Sequence, residues 1–213
     1  MKFKLPNKNL KGFTLVEIMV VISIIAILGG ITISGDYKAN KIRNGLLVDT
    51  ESIATDIRDM QNRTTSFVQN PNINNIGYGI YFDLSENASL KTETFYKQTE
   101  DVFDKSELST SNNMRPIDNY IFNQGNYIKR ICINGCSTHE INPLGKLAVY
   151  YIKPKPYTNF AFTDDGLTYY TEYAGNSISH ACIEVASHLG QDIRRVDIYY
   201  IGQISFSLGT CSD

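Results

Sequence analysis

Residues 11–33 read KGFTLVEIMVVISIIAILGGITI, and their reading decides how the rest of the chain is understood. From Phe13 to Ile33 the run holds a single charge, Glu17. Coiled as a helix at about 1.5 Å per residue it would be roughly 31 Å long, close to the ~30 Å hydrocarbon core of a bilayer. Residues 1–12, MKFKLPNKNLKG, carry Lys2, Lys4, Lys8 and Lys11 and no acid. The whole chain has 20 basic and 22 acidic side chains, so removing those four lysines leaves 16 against 22. Basic residues before the apolar run and an acid-rich chain after it place the N-terminus in the cytoplasm and the bulk of the chain outside. An ordinary secretory signal fits poorly. Its apolar region would be about 7–15 residues and would end in a small-x-small site. Here the run is longer, and Gly29, Gly30, Ser34 and Gly35 make a poor mimic of that site.

A carboxylate within a bilayer helix costs about 2.5–3.5 kcal/mol on insertion scales, so Glu17 needs an explanation. Snorkelling from the helix end would predict no special sequence around it. What surrounds it is Lys11-Gly12-Phe13-Thr14-Leu15-Val16-Glu17. With the basic leader before it and the apolar run around it, this resembles the recognition sequence of prepilin peptidase in type IV pilins and pseudopilins. The resemblance covers residues 8–33. It implies cleavage between Gly12 and Phe13 on the cytoplasmic side, N-methylation of Phe13, and pairing of the Glu17 carboxylate with the Phe13 amine of a neighbouring subunit. Many members of the family carry Pro near position 34. This chain has Ser34 among glycines, which argues for a local bend or melted stretch rather than a proline kink.

Beyond Ser34 the periodicity is helical. Ile42, Leu46, Leu47, Ile53, Ala54, Ile57 and Met60 recur at steps of three and four, with Lys41, Arg43, Asp49, Glu51, Asp56, Arg58 and Asp59 assigned to the opposite face. This amphipathic helix should reach about Phe67 and end before Gln69-Asn70-Pro71-Asn72. Residues 71–213 then switch to short Tyr- and Ile-rich runs between turn residues, consistent with 14 Tyr, 10 Phe and no Trp. The expected strands are Tyr78–Asp83, Thr94–Gln98, Tyr120–Phe122, Tyr127–Ile133, Lys146–Ile152, Asn159–Phe162, Thr168–Glu172, Ala181–Ala186, Val196–Ile201 and Gln203–Leu208. Residues 84–119 read as a long loop with one or two weak strands. The plan is α+β: a leader at 1–12, a transmembrane and assembly helix at 13–33, a stalk helix at 34–70 and a β-rich extracytoplasmic domain at 71–213. That is the plan of the pilin-like fold. The pairing of Ile53-x-x-x-Ile57-Arg58 with Gly77-Tyr78-Gly79-Ile80-Tyr81-Phe82 loosely resembles H-type minor pseudopilins.

Cys132-Ile133-Asn134-Gly135-Cys136 contains a strong turn signal, and a hairpin there would face the two cysteines. Cys182 falls in an expected strand and Cys211 near the C-terminus. Of the three pairings that four cysteines allow, Cys132–Cys136 with Cys182–Cys211 is favoured and the others stay open. A metal set of Cys132, Cys136, His139, His180 and Cys182 is disfavoured by its spacing. Thr163-Asp164-Asp165-Gly166 reads as a turn rather than a calcium loop. His139-Glu140 reads as a solvated strand end, and His180 and His188 as isolated. No nucleophile elbow, phosphate loop or His-Glu-x-x-His motif occurs, so neither an enzyme nor a cofactor is expected. Lys129-Arg130, Lys153-Pro154-Lys155-Pro156-Tyr157 and Arg194-Arg195 are the basic clusters. The net charge of -2 argues against DNA binding through them.

The resemblance therefore implies a minor pilin or pseudopilin of a type IV pilus, including those for DNA uptake, or of a type II secretion pseudopilus. Its partners would be other subunits, the prepilin peptidase/methyltransferase, membrane lipid and an inner-membrane assembly platform. It would reside in the cytoplasmic membrane as a single-pass precursor before joining the filament. The alternative is a membrane-anchored extracytoplasmic binding domain that never polymerises and keeps its leader.

Overall fold

The computed structural model describes residues 13–66, 77–85, 91–97, 114–153, 155, 157–165 and 170–211. The leader, the helix stop at 67–76, segments 86–90 and 98–113, and residues 154, 156, 166–169 and 212–213 lie outside the described residues, and so do the expectations that fall on them. The chain forms two compact units, residues 1–41 and 42–213. It is α+β: among the described residues one α-helix, α1 (Leu15–Thr65), is followed by antiparallel strands.

Helix α1 continues through Gly29, Gly30, Ser34 and Gly35, so the chain is not melted there. Glycine costs about 1 kcal/mol per position in a helix, and no proline here removes a ladder hydrogen bond. In the second unit the stripe Leu46, Ile53, Ile57 and Met60 is fully buried. It enters one core with side chains from both main sheets. Burial of each such side chain contributes about 1.5–3 kcal/mol.

The first sheet has the order β3-β2-β1-β6-β7, from β1 (Gly77–Asp83), β2 (Lys91–Lys97), β3 (Met114–Ile121), β6 (Lys146–Ile152) and β7 (Asn159–Thr163). The second has the order β12-β11-β10-β4-β5, from β4 (Tyr127–Ile133), β5 (His139–Glu140), β10 (His180–Ala186), β11 (Ile193–Tyr199) and β12 (Ile204–Leu208). A separate ribbon pairs β8 (Glu172–Tyr173) with β9 (Asn176–Ser177). Ile80 and Phe82 of β1, Val149 and Tyr151 of β6, Ile131 and Ile133 of β4, Ile183 and Val185 of β10 and Val196 and Ile198 of β11 face the helix stripe in the common core. The alternate residues Tyr81, Phe95, Tyr150 and Ala161 make a smaller cluster on the first sheet's other face. Gly79 on β1 lets Phe95 approach: a Cβ there would stand 2.6 Å from the Phe95 ring and 2.6 Å from the Val149 carbonyl oxygen.

The strands differ from expectation in three places. The span read as a loop with weak strands holds β2 and β3, of seven and eight residues. Thr92 and Thr94 fill its buried positions, so the apolar alternation is faint. Pro116 is tolerated because β3 is an edge strand. β11 begins at Ile193 rather than Val196, and Ile201 lies in the turn beyond it. Of the run expected at Thr168–Glu172, the first two residues lie outside the described residues, and the rest forms an isolated bridge from Tyr170 to Phe162 and the start of the two-residue β8.

Asp49, assigned by sequence to the polar helix face, is fully buried. Oδ1 accepts from the Tyr120 hydroxyl at 2.7 Å and Asn123 Nδ2 at 2.6 Å, and Oδ2 from Asn126 Nδ2 at 2.6 Å. The Asn123 N–H is shared between both oxygens at 3.1 Å. A carboxylate surrounded only by neutral donors fastens the helix to the 120–126 turn, where Gln124 adopts φ 54°. Burial, and after it the Asp49 carboxylate, push the Tyr120 hydroxyl pKa up against an opposing Ser52 hydrogen bond.

Candidate functional site

Two parts of the molecule concentrate chemistry: the start of α1 and the outer face of the second sheet.

Thr14 is the N-cap of α1. Its Oγ1 accepts the Glu17 N–H at 3.2 Å, while Glu17 Oε2 accepts the Thr14 N–H and the Thr14 hydroxyl, each at 3.4 Å. This reciprocal arrangement is a capping box, and Thr14-x-x-Glu17 is its sequence signature. The sequence reading passed over that role. The box sets the helix start one residue after Thr14 and places the Glu17 charge at the positive end of the helix dipole. Glu17 Oε1 has no partner among the described residues, and the side chain is exposed. Gly12 lies outside the described residues and Phe13 is their first.

Downstream, every large apolar side chain from Phe13 to Leu28 is exposed; the most covered, Ile18, is still 50% accessible. Ser23 donates its hydroxyl to the Met19 carbonyl at 2.8 Å, so this hydroxyl is satisfied by its own helix. Cβ atoms added at Gly29 or Gly30 would meet nothing within 4 Å. Among the described residues no helix is long and apolar enough to cross a membrane.

On the second sheet, Cys132 is bridged to Cys136 and Cys182 to Cys211. Asn134 and Gly135 make the turn between the first pair with φ of 54° and 99°, which the Asn-Gly sequence accommodates. The bridges occupy the sulfurs a metal would need. His180 is not isolated: its Nε2 lies 3.2 Å from Asp197 Oδ1 with its ring stacked on Tyr199, and His139, read as a solvated strand end, has Nε2 3.1 Å from Asp164 Oδ2. Asp164 also accepts the Asn142 N–H, so it braces the turn after β5. Beside the bridges Glu184 is fully buried. Its Oε1 accepts from Arg130 Nη2 and from the Cys211 N–H at 2.6 Å, and its Oε2 has no hydrogen-bond partner.

One residue of each basic cluster is engaged within the fold. Arg130 meets Glu184 and Glu140, and Arg195 meets Asp197, Ser207 and the Thr210 carbonyl. The Lys153 ammonium sits over the Tyr78 ring. A cleft lined by Tyr81, Asp83, Lys91 and Glu93 on the first sheet is likewise charge-balanced, by Lys146–Asp83 at 2.8 Å and Lys91–Glu93 at 2.6 Å. Burial works to raise the Asp83 pKa, but the hydrogen bonds from Lys146 and Ser85 hold it below the ordinary value.

Residues 7–33 match the family model of the prokaryotic N-terminal methylation motif. No curated protein and no solved structure matches the chain. The chain thus carries the prepilin-type motif of type IV pilins and pseudopilins, and the motif supports a pilin-type subunit processed by prepilin peptidase.

Proposed function

We propose that this chain is a minor pilin or pseudopilin, a filament subunit and not a catalyst, of a type IV pilus or a type II secretion pseudopilus. It is inserted as a single-pass precursor, cut between Gly12 and Phe13, methylated on Phe13 and assembled through α1. The observation that carries this reading is the methylation motif on a helix whose large apolar side chains from Phe13 to Leu28 are exposed among the described residues. Monomeric soluble proteins rarely expose contiguous apolar patches above a few hundred Å². Lipid covers this surface before assembly and neighbouring subunits cover it afterwards. The support for a span is the sequence, in which the apolar run extends to Ile33, and not a membrane-crossing helix among the described residues.

The capping box refines the part assigned to Glu17. Oε2 serves its own helix start, and Oε1 is left to accept a neighbour's Phe13 amine. The test is to follow Glu17→Ala and Glu17→Gln through membrane fractionation and filament shearing. Both variants should insert, lose the leader and remain as processed monomers, scarce in sheared filaments. Wild-type levels of both variants in filaments would contradict the pairing role. A wild-type chain that never enters filaments would favour the anchored binding domain instead.

A further inference from the structure

The two disulfides form one sulfur cluster. Cys132, Cys182 and Cys211 pack together as buried residues, at 0%, 1% and 6% exposure, with the partly buried Cys136 against them. Cys132 and Cys182 are direct partners in the β4–β10 register. The sulfurs of Cys132, Cys136 and Cys211 all lie within 4.8 Å of one another, although Cys211 is bridged to neither of the other two. The chain end is held in that position. The Cys211 N–H donates to the buried Glu184 Oε1, its carbonyl oxygen lies 3.8 Å from Cys136 Sγ, and the preceding Thr210 carbonyl accepts from Arg195.

The arrangement places a short-loop disulfide, four residues apart in sequence, against a long-loop one, 29 apart. The short loop closes with little entropy loss and forms easily; the long loop is costlier to close. In the folded chain Cys182 is 1% exposed, whereas Cys136 is only partly buried and is the more accessible of the two. We propose that Cys132–Cys136 is an internal exchange couple through which the buried Cys182–Cys211 bridge is made and broken, with Cys136 as its contact with external thiol–disulfide chemistry.

The Cys211 thiolate attacks Cys136 Sγ, the Cys132–Cys136 bond breaks, and Cys132 leaves as a thiolate that takes up the proton Cys211 gave up. The Cys182 thiolate then attacks Cys211 Sγ and expels Cys136, which takes up the proton from Cys182. The Cys182/Cys211 dithiol has become a disulfide and the Cys132/Cys136 disulfide a dithiol. An external protein disulfide re-oxidises that dithiol by attack of Cys136, and a dithiol reductant drives the same sequence backwards. Such exchange proceeds through mixed disulfides and depends on access to the attacked sulfur.

The full oxidised chain in detergent, treated with limiting dithiothreitol, quenched in acid and mapped by peptide mass spectrometry, tests this. A Cys136–Cys211 mixed disulfide should appear transiently in the wild type. In Cys132→Ser the remaining Cys136 thiol should displace Cys182, so that alkylation labels Cys182 as well as Cys136. With both Cys132 and Cys136 changed to Ser, reduction of Cys182–Cys211 should slow by about tenfold. Absence of any Cys136–Cys211 species from both the quenched wild type and Cys132→Ser overturns the proposal, whatever the double variant does.

Discussion

Two stretches of one helix carry similar apolar side chains and meet opposite fates. Between Phe13 and Leu28 all the large ones are exposed, whereas Leu46, Ile53, Ile57 and Met60 are buried to 2% or less. The difference lies in spacing and in what the rest of the chain supplies. Residues 42–60 confine their apolar groups to a stripe, and two sheets present a matching face. Residues 13–28 are apolar all round, which no single sheet face can cover, and a helix of that kind is covered by lipid or by other helices. The second stretch holds the subunit together, and the first is left for something outside it.

Truncating one side chain in each stretch separates the two roles. Ile57→Ala should cost the folded body about 2–5 kcal/mol in chemical denaturation, through lost transfer energy and a cavity. Ile24→Ala should leave that unfolding free energy within about 0.5 kcal/mol of wild type, as truncation of an exposed side chain would. A comparable loss from both would mean that the first stretch also serves the body.

Asp49 tests whether the buried stretch is specified by more than apolar contacts. Asp49→Ala should destabilise the body by about 1–3 kcal/mol by leaving buried donors unpaired. Asp49→Asn should rescue little of this, because every group around the carboxylate is a donor and the amide nitrogen would face one of them. Full stability in Asp49→Asn, measured by the same denaturation, would show that hydrogen bonding at this turn contributes little.

The smallest effect concerns Asp56, on the same half of α1. Burial, then Asp59 and Asp118, push its pKa up from 3.8 to about 6. The folded state thus holds this proton more tightly than the unfolded state. The resulting stability is complete below about pH 3.8 and is lost as pH rises through about 6. Asp56 is only half-buried, so solvent screening reduces the effect to about 1 kcal/mol. Asp56→Asn should be more stable than wild type by about that amount at pH 7.5, with the gap closing by pH 4. A gap independent of pH would remove the electrostatic explanation.

The N-terminal site was legible because its signal is local. A leader, a hexapeptide and an apolar run each declare themselves in consecutive residues, and even the capping box missed in that reading is written as Thr14-x-x-Glu17. The α+β class and the helix stripe were legible through periodicity. Asp49 was misplaced although its spacing from Leu46 and Ile53 puts it on the buried stripe, because its charge was weighed above its position. What makes that burial tolerable is a cluster of Tyr120, Asn123 and Asn126 more than seventy residues away. β2 was blurred for a related reason, since threonine hydroxyls at buried positions weaken the apolar alternation. The Asn-Gly turn suggested the Cys132–Cys136 bridge, but the meeting of all four sulfurs depends on the β4–β10 register, which no local sequence encodes.

The central claim is that the first twelve residues are a leader and that Phe13 begins the working subunit. Intact-mass and N-terminal peptide mass spectrometry of the chain recovered from its native membrane tests it most directly. The account predicts a mature chain that begins at Phe13 with a methylated amine, and retention of the full-length precursor when Gly12 is changed to Asp. A native chain that still begins with the lysine-rich leader, or a Gly12→Asp chain that loses the same twelve residues, would contradict it.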